Sequence, residues 1–270
     1  MQIQSLPSTP ARRDPIRIQR AVLLALVVRE LRSRVEGRWL SLLWLVFEPL
    51  VHVMLILALI GARTNAVMLN IELPVFLVTG LLPFFLFRNL ARKLPSSISA
   101  NRSLFAYRQV MPIDALIARA MVEIGLYAMV YLVALILLGW MGYHSLPHAP
   151  IELMVVTVVL IALGVGLGLL FAVAQHNRPK VTTFIGFIFL PLYFASGVIF
   201  QLHNLAPNLR YWLLFNPVLH LVELSRVYFI PNYTVLPGVS LEYPATWALL
   251  VAALALSLYR VYRHRFVTVG

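Results

Sequence analysis

Near the amino terminus the sequence runs Arg29-Glu30-Leu31-Arg32-Ser33-Arg34 and then passes through Trp44 to Glu48-Pro49. The apolar run 39–60 that follows the basic segment has 22 residues, enough to cross a hydrocarbon core of ~30 Å at ~1.5 Å per residue. Eight Lys and Arg residues precede this run, and such clusters favour the cytoplasmic side of a membrane. The chain is therefore predicted to be a membrane protein that begins inside the cell.

The composition supports this interpretation for the whole chain. Hydrophobic residues make up 61% of the 270 residues, charged residues make up 12%, and the mean hydropathy is +0.86, which excludes an ordinary soluble domain. The net charge of +12 comes from basic residues that mostly flank apolar runs, which indicates topology signals and not a nucleic-acid-binding domain. No cysteine occurs, which excludes disulfides and thiolate metal sites.

Apolar runs separated by short polar segments predict an all-α polytopic membrane protein with six transmembrane helices. The predicted spans cover residues 39–60, 74–90, 115–140, 151–175, 183–200 and 244–259. In this layout 19 of the 22 Lys and Arg residues lie inside and three lie outside, so both termini are predicted to be cytoplasmic. Residues 1–38 form a cytoplasmic tail with a helix, and residues 39–270 form the transmembrane domain.

Two segments are predicted to lie along the membrane and not across it. Asp14-Pro15 is typical of a helix start, and the helix after it has one apolar face, which favours an amphipathic helix in the membrane interface. This face consists of Leu24, Val28, Leu31 and Val35. Between spans five and six, the region 204–230 contains two largely apolar pieces, 211–215 and 217–230, and the longer one, of fourteen residues, is too short to span; Asn216-Pro217 is a second helix start. This region is predicted to form re-entrant or interfacial helices on the outer side.

Polar side chains inside the predicted spans are the candidates for function, because a charge at the bilayer centre costs at least ~2.5 kcal/mol. In the first span, one helical face contains Ser41, Trp44, Glu48 and His52. This face indicates either the wall of a hydrated path or a Glu48–His52 pair inside a packed interface.

The third and fifth spans carry further polar groups. One face of the third span contains Arg119, Glu123, Tyr127 and Tyr131. We expect an Arg119–Glu123 ion pair, with the two tyrosines facing a cavity. In the fifth span, Tyr193 lies at a bend predicted from Pro191.

Other motifs point to packing, and motifs for catalysis are absent from the sequence. Gly164, Gly166 and Gly168 predict close helix packing. Glu48-x-x-x-His52 offers two metal ligands without a third nearby, and no P-loop motif occurs, so ATP-driven transport would need a separate ATPase. A polytopic lipid-modifying enzyme, such as a lipid-linked glycosyltransferase that uses Glu48 or Glu123, is an alternative function.

Several short motifs follow one another in order over nearly the whole chain. They are Arg29-Glu30 with Arg34, Leu43-Trp44 before Glu48-Pro49-Leu50 with His52, Pro74-Val75-Phe76-Leu77-Val78-Thr79-Gly80, Asn101-Arg102-Ser103-Leu104 through Met111-Pro112, Ser196-Gly197, and Asn216-Pro217 with His220, Glu223 and Arg226. In a six-span layout this series resembles the ABC-2-type permeases that export polysaccharides, and most of all the capsular polysaccharide exporters of Gram-negative bacteria. Val35-Glu36-Gly37 departs from the family, whose members often carry an aromatic or more basic stretch there.

The resemblance implies a transporter of two permease copies and two ABC ATPase subunits that exports lipid-linked capsular polysaccharide across the bacterial inner membrane. The permease is expected to be no enzyme and to hold no cofactor, whereas ATP and Mg would bind to the ATPase. A periplasmic co-polymerase or adaptor, an outer-membrane export channel and a glycolipid substrate are implied partners, and no nucleic acid is. O-antigen, teichoic acid or a small lipid or drug are alternative substrates for the same architecture.

The resemblance also implies roles for individual residues. Arg29, Arg32 and Arg34 would meet the lipid phosphate where the substrate enters. The translocation path would be lined by Trp44, Glu48, His52, Tyr127, Tyr131 and Tyr193. A coupling helix at 95–108 would dock on the ATPase through Asn101, Leu104, Phe105 and Arg108. The outer helices would form a periplasmic gate that contains His220, Glu223 and Arg226.

Overall fold

The computed structural model describes residues 14–35, 39–61, 72–178 and 180–267, and every regular element in these ranges is helical. The α-helices are α1 (Pro15–Val35), α2 (Trp39–Gly61), α3 (Leu73–Lys93), α4 (Pro95–Ala100), α5 (Pro112–Trp140), α6 (Pro150–Asn177), α7 (Val181–Ala195), α8 (Pro207–Leu213), α9 (Pro217–Phe229) and α10 (Glu242–Val267). Short 3-10 turns cover Arg102–Ala106 and Leu202–Asn204. The predicted tail 1–13, the segment 36–38 and the loop 62–71 lie outside the described residues.

Proline and short polar caps set where many of these helices begin. Asp14 Oδ1 accepts a hydrogen bond from the Ile16 amide at 3.1 Å, and Asn216 Oδ1 accepts one from the Val218 amide at 3.0 Å. In both cases proline occupies the first turn, where a missing amide hydrogen is harmless. Both helix starts predicted from the sequence are therefore confirmed.

Four of the described helices, α3, α5, α6 and α10, are long and apolar enough to cross a membrane. They correspond to the predicted spans two, three, four and six, although α10 continues beyond residue 259 to Val267. The apolar parts of α2 and α7 are shorter, at 47–59 and 181–195. A six-span arrangement, with α2 and α7 as the other two spans, stays a prediction.

The centre of the protein is α3, which is buried along most of its length and packs against α6, α9, α5 and α2. Gly164 and Gly168 of α6 lie directly against α3, since a Cβ at Gly168 would lie only 2.8 Å from the Leu90 carbonyl oxygen. Gly166 faces α10 on the other side of α6. The predicted packing role of this glycine series is confirmed, and it keeps α6 between α3 and α10.

Helix α1 packs along α5, and its buried side differs from the apolar face predicted for it. Leu26 and Glu30 are the buried residues of α1, whereas Leu24, Val28 and Leu31 are exposed. Gln19 fixes the other end of the contact by donating a hydrogen bond to Asp114 at 2.6 Å. The exposed apolar side chains are compatible with a helix in the membrane interface, a position that stays a prediction.

Helices α8 and α9 occupy the segment between α7 and α10. Most of the α9 side chains are buried, and α9 packs against α6, α3 and α10. In contrast, α8 has no buried residue and exposes Tyr211 and Trp212. The predicted short helices of this region therefore exist, and their re-entrant insertion stays a prediction.

Candidate translocation site

Five charged side chains form a cluster where α1 meets α3 and α5. They are Glu30, Arg34, Lys93, Arg119 and Glu123, called here the α1–α5 cluster. The Glu30 carboxylate accepts hydrogen bonds from Arg34 at 3.1 Å and from Arg119 at 3.0 Å. Arg34 also donates to Glu123 at 2.6 Å, and the Lys93 ammonium lies 3.5 Å from the same carboxylate. Ion pairs thus join α1 to the two helices beneath it.

This cluster corrects one expected pair and sets the ionisation of Glu30. Arg119 pairs with Glu30, and Glu123 pairs with Arg34 and Lys93, so contacts between helices replace the expected Arg119–Glu123 pair. Burial by itself raises the pKa of Glu30, but the hydrogen bonds and positive charges of Arg119 and Arg34 outweigh burial and hold that pKa below its ordinary value. The carboxylate is therefore ionised at neutral pH, when its pairs are intact.

The structure separates the three arginines predicted to meet a lipid phosphate. Arg34 points into the α1–α5 cluster, whereas Arg29 and Arg32 are exposed. These two line a shallow groove of about 760 Å³ together with Val28. Arg29 also approaches the α4 carbonyl of Ala100 at 3.5 Å. Phosphate binding by the three residues stays a prediction, and the ion pairs of Arg34 account for its orientation on structural grounds.

Two of the predicted path residues meet between α2 and α7. His52 Nε2 lies 3.4 Å from the Tyr193 hydroxyl, and the His52 ring meets the Phe85 ring edge-on with centroids 5.1 Å apart. Tyr193 makes a similar contact with Phe84 at 5.3 Å. We call His52, Phe84, Phe85 and Tyr193 the aromatic site. His52 therefore contacts the aromatic residues of α3 and α7.

Trp44 and Glu48, from the first predicted span, are exposed on α2. They lie on the side of the chain that no other described helix covers. The side chain of Ser41, on the same predicted face, is outside the described residues. Trp44 and Glu48 are thus accessible from outside the single chain, as side chains of a path would be, and their role there stays a prediction.

Tyr127 and Tyr131 lie in a different place, at an apolar cavity of about 430 Å³ between α3, α5 and α6. The Tyr127 hydroxyl accepts a hydrogen bond from the Asn89 amide at 2.6 Å, and Tyr131 packs edge-on against Phe229. The expectation that both tyrosines face a cavity is confirmed. Of the predicted path residues, His52 and Tyr193 therefore contact each other, whereas Tyr127 and Tyr131 lie at this cavity.

The predicted gate residues Glu223 and Arg226 form a fully buried ion pair on α9, with 3.2 Å between Arg226 Nη1 and Glu223 Oε2. Arg226 also donates to the backbone carbonyls of Gly197 at 2.9 Å and Val198 at 2.6 Å, just after α7. Its guanidinium lies 3.7 Å from the centroid of the Phe76 ring of α3. One side chain thus ties together α3, α7 and α9.

Tyr233 completes this arrangement, and Glu223, Arg226 and Tyr233 are called here the α9 cluster; His220 lies on the same helix and makes separate contacts. The Tyr233 hydroxyl donates to the second Glu223 oxygen at 2.7 Å, and burial and the nearby carboxylate raise the pKa of Tyr233. His220 Nε2 bonds the Leu214 carbonyl at 2.8 Å, which requires a proton on Nε2, while His220 Nδ1 accepts from the Ser240 amide at 3.1 Å. His220 therefore holds the loop before α10 in place, and a gating role for these residues stays a prediction.

The predicted coupling segment is a short helix followed by a 3-10 turn, and its side chains point in different directions. Asn101 is buried and donates to the Ser97 carbonyl at 2.8 Å, and Phe105 is part of the hydrophobic core. Leu104 is half-buried, whereas Arg108 is exposed together with its neighbour Tyr107. Tyr107 and Arg108, at the end of this segment, are therefore exposed to a partner, as is Arg102 near its middle.

One residue near the aromatic site was missed by the sequence reasoning. Arg88 had been counted with Arg92 and Lys93 as a topology signal, but it lies inside α3 with its guanidinium 4.5 Å from the centroid of the Phe85 ring. Its position four residues after Phe84 is the signal that could have placed it on the aromatic face of the helix.

Known proteins resemble this chain over most of its length. The family description "ABC-2 type transporter" matches residues 21–230. The polysialic acid transport protein KpsM of Escherichia coli is 35% identical over 95% of this chain and 99% of its own length. The capsule polysaccharide export inner-membrane protein CtrC of Neisseria meningitidis serogroup A is 32% identical over 91% of this chain and 90% of its own, and BexB of Haemophilus influenzae is 27% identical over 79% and 81%. The chain belongs to the ABC-2 type transporter family, among relatives that include capsule polysaccharide export permeases.

Proposed function

We propose that this chain is the transmembrane permease of an ABC transporter that exports lipid-linked capsular polysaccharide across the inner membrane, powered by a separate ATPase subunit. The observation that carries the proposal is its similarity, over nearly the full length of both chains, to proteins named for polysialic acid transport and capsule polysaccharide export. The aromatic site supports it, because aromatic faces bind sugar rings without the fixed hydrogen bonds that would hold a moving polymer.

The proposed transporter contains two copies of the chain, with α2 and α7 completing six spans and both termini in the cytoplasm. The support is that α2 and α7 expose large apolar side chains along most of their length. Examples are Trp44, Phe47, Phe184 and Phe187. A second copy that faces these helices would enclose the path between the two aromatic sites and would cover the exposed surfaces.

The ATPase is proposed to dock at the end of the coupling segment. Tyr107 and Arg108 are exposed there, whereas Phe105 belongs to the core and Asn101 caps the short helix internally. Replacing Phe105 would therefore disturb the fold, and Tyr107 is the better probe. We expect Tyr107→Ala with Arg108→Ala to reduce co-purification of the co-expressed ATPase, while the matched variant Tyr211→Ala, an exposed tyrosine of α8, retains it.

The substrate is proposed to approach beside α1, where Arg29 and Arg32 would attract its lipid phosphate. On the other side of the membrane, α8 and α9 would form the outer gate, next to a periplasmic adaptor and an outer-membrane channel. The support for the gate is positional, since Arg226 ties α9 to the backbone just after α7, at the end of the chain segment that leads into α8.

Deleting the gene in its own bacterium tests the proposal. We expect capsule to disappear from the cell surface and to accumulate inside the cell, as measured by surface immunolabelling and by glycan content of the cytoplasmic fraction. Re-expression of the chain should restore surface capsule only when the ATPase is also present. Normal surface capsule in the deletion strain, or glycan synthesis that stops altogether, would contradict an export role; the second result would favour an enzyme.

A further inference from the structure

Arg88 is a cation inside an apolar helix with no counter-ion bound to it. It lies five residues before the end of α3 at Lys93, about 7.5 Å along the helix axis. Its Nε atom is buried without a hydrogen-bond partner among the residues that the structure describes. None of the ion pairs found between described residues includes it either. Its contact is the face of the Phe85 ring, 4.5 Å away.

The other arginines buried in the fold are different in this respect. Arg226 and Arg210 each have an unpaired Nε as well, but Arg226 donates from both terminal nitrogens, and Arg210 from Nη2, to carbonyl or carboxylate oxygens. Arg119 makes hydrogen bonds to Glu30, Lys93 and Ser96. A guanidinium held in an apolar helix is costly, so an unpaired one is a marker of function. Among these residues only Arg88 makes no hydrogen bond from any of its three guanidinium nitrogens to another described residue.

The surroundings of Arg88 have the composition of a sugar-binding site. The aromatic site lies next to it, since its cation rests on Phe85 and it interacts electrostatically with Tyr193, Tyr127 and Glu48. His52 is also within electrostatic range and bonds Tyr193. Aromatic faces, a hydroxyl, an imidazole and one free guanidinium fork suit a sugar ring that carries a negative charge.

We propose that Arg88 is an anion-binding residue of the translocation path, which receives a carboxylate or a phosphodiester of the passing substrate while the sugar ring rests on the aromatic site. This inference rests on the proposed function and adds to it a residue inside the path that would bind the anionic group of the passing substrate. Both anions present two oxygens that a guanidinium can bind in parallel.

The same geometry explains why such a site would release its ligand. Glu48 lies within electrostatic range of Arg88 and repels an anion, and a half-buried guanidinium is still reached by water. A second copy of the chain would add a second Arg88, so that an anionic group leaving one site could pass to the other. Weak, repeated binding of this kind orders a charged polymer without trapping it.

Equilibrium binding to the purified full-length chain in nanodiscs of neutral lipid tests the inference. The probes are an oligosaccharide of carboxylated sugars, its carboxyl-reduced neutral form, and the neutral form with one phosphodiester. We expect at least one anionic probe to bind about tenfold more tightly than the neutral probe, and Arg88→Gln to abolish that preference. The two anionic probes distinguish a sugar carboxylate from a lipid-end phosphate. Arg260→Gln, an exposed arginine of α10, is the matched control and should keep the preference.

Arg88→Lys and the melting temperature separate binding from a structural role. Lysine keeps the charge without the fork, so this variant should prefer anionic probes but bind them more weakly than the wild type. Arg88→Gln should melt at the same or a higher temperature than the wild type, because it removes an unpaired charge; a lower melting temperature together with unchanged probe preference would overturn the inference. Equal binding of all three probes by the wild type would overturn the anion site and leave polysaccharide export standing, whereas binding of none would count against both.

Discussion

The α1–α5 cluster and the α9 cluster use the same kinds of charged residue in two physically different ways. In the α9 cluster, Glu223 and Arg226 are fully buried and pair within one helix. Glu223 also accepts a hydrogen bond from Tyr233, and Arg226 donates to two carbonyl groups after α7. In the α1–α5 cluster, the charges come from three helices, and Lys93 is still more than a third exposed.

The difference decides which cluster can change during transport. Removing water from both partners of a buried pair is costly, and the bonds of this pair to Tyr233 and to two backbone carbonyls offset much of that cost, so the α9 cluster resists rearrangement even though Arg226 Nε has no partner. Water and salt reach the edge of the α1–α5 cluster, so its pairs are weaker and open more easily. We infer that the α9 cluster fixes the frame of the protein, and that the contact between α1 and α5 is the adjustable one.

The largest expected effect comes from breaking the α9 cluster. Arg226→Met leaves Glu223 as an unpaired buried charge and orphans the carbonyls of Gly197 and Val198, which costs about 3–5 kcal/mol. We expect little or no folded protein, measured as the monodisperse fraction in fluorescence-detected size-exclusion chromatography after expression. Arg210→Met is the matched control, because Arg210 binds loop carbonyls next to the exposed helix α8. An equal loss of folded protein in both variants would contradict the claim that Arg226 stabilises the fold more than a partly exposed arginine does.

A smaller effect is expected where α3 makes room for the same arginine. A Cβ at Gly80 would collide with Arg226 Nη2 and lie 2.8 Å from the Val198 carbonyl oxygen, so Gly80→Ala should cost about 1–3 kcal/mol and lower the melting temperature. Gly125→Ala is the matched control on α5, where nothing lies within 4 Å and alanine favours the helix. A Gly80→Ala protein that melts like Gly125→Ala would show that the packing between α3 and α9 is looser than the structure indicates.

Much of this fold could be predicted from local chemistry. Asp14-Pro15 and Asn216-Pro217 are helix starts because the cap and the proline act within one turn, and Gly168 permits close packing whichever helix faces it. Apolar length alone placed α3, α5, α6 and α10. These features need no knowledge of distant neighbours.

The partners of the charges could not be predicted in this way. Arg119 and Glu123 are one turn apart and were expected to pair with each other. Instead, α1 brings Glu30 to Arg119 and Arg34 to Glu123, each from 89 positions away, so both ion pairs join different helices. For the same reason the sequence did not show that Tyr127 bonds Asn89, that Tyr193 meets His52, or that Arg88 lies against the Phe85 ring. Spacing along one helix gives the face of a residue and leaves open which other helix covers that face.

The α1–α5 cluster should respond more mildly than the α9 cluster. Glu30→Gln removes the charge that Arg34 and Arg119 share, and because the cluster is partly hydrated the cost should be about 1–2 kcal/mol. We expect faster hydrogen exchange in α1, measured by mass spectrometry, with α3 and α9 unchanged. Glu152→Gln, an exposed glutamate at the start of α6, is the matched control and should leave exchange unchanged throughout. Loss of protection in all helices would mean that the cluster belongs to the fixed frame.

The smallest effect should appear as a pH dependence of the same contact. The pKa of Glu30 in the folded protein lies below its ordinary value of 4.5, so the unfolded or detached state binds the proton more tightly than the docked state. The stabilisation by Glu30 is therefore complete above pH 4.5 and is lost as the pH falls through the lower, folded pKa. Hydrogen exchange of α1 should differ between the wild type and Glu30→Gln at pH 7, and the two proteins should converge at pH values below that pKa. Because the two proteins are compared at the same pH, the effects of the other titrating groups cancel. A difference that persists at low pH would show that the amide side chain disturbs packing, and that charge is not what holds α1 against α5.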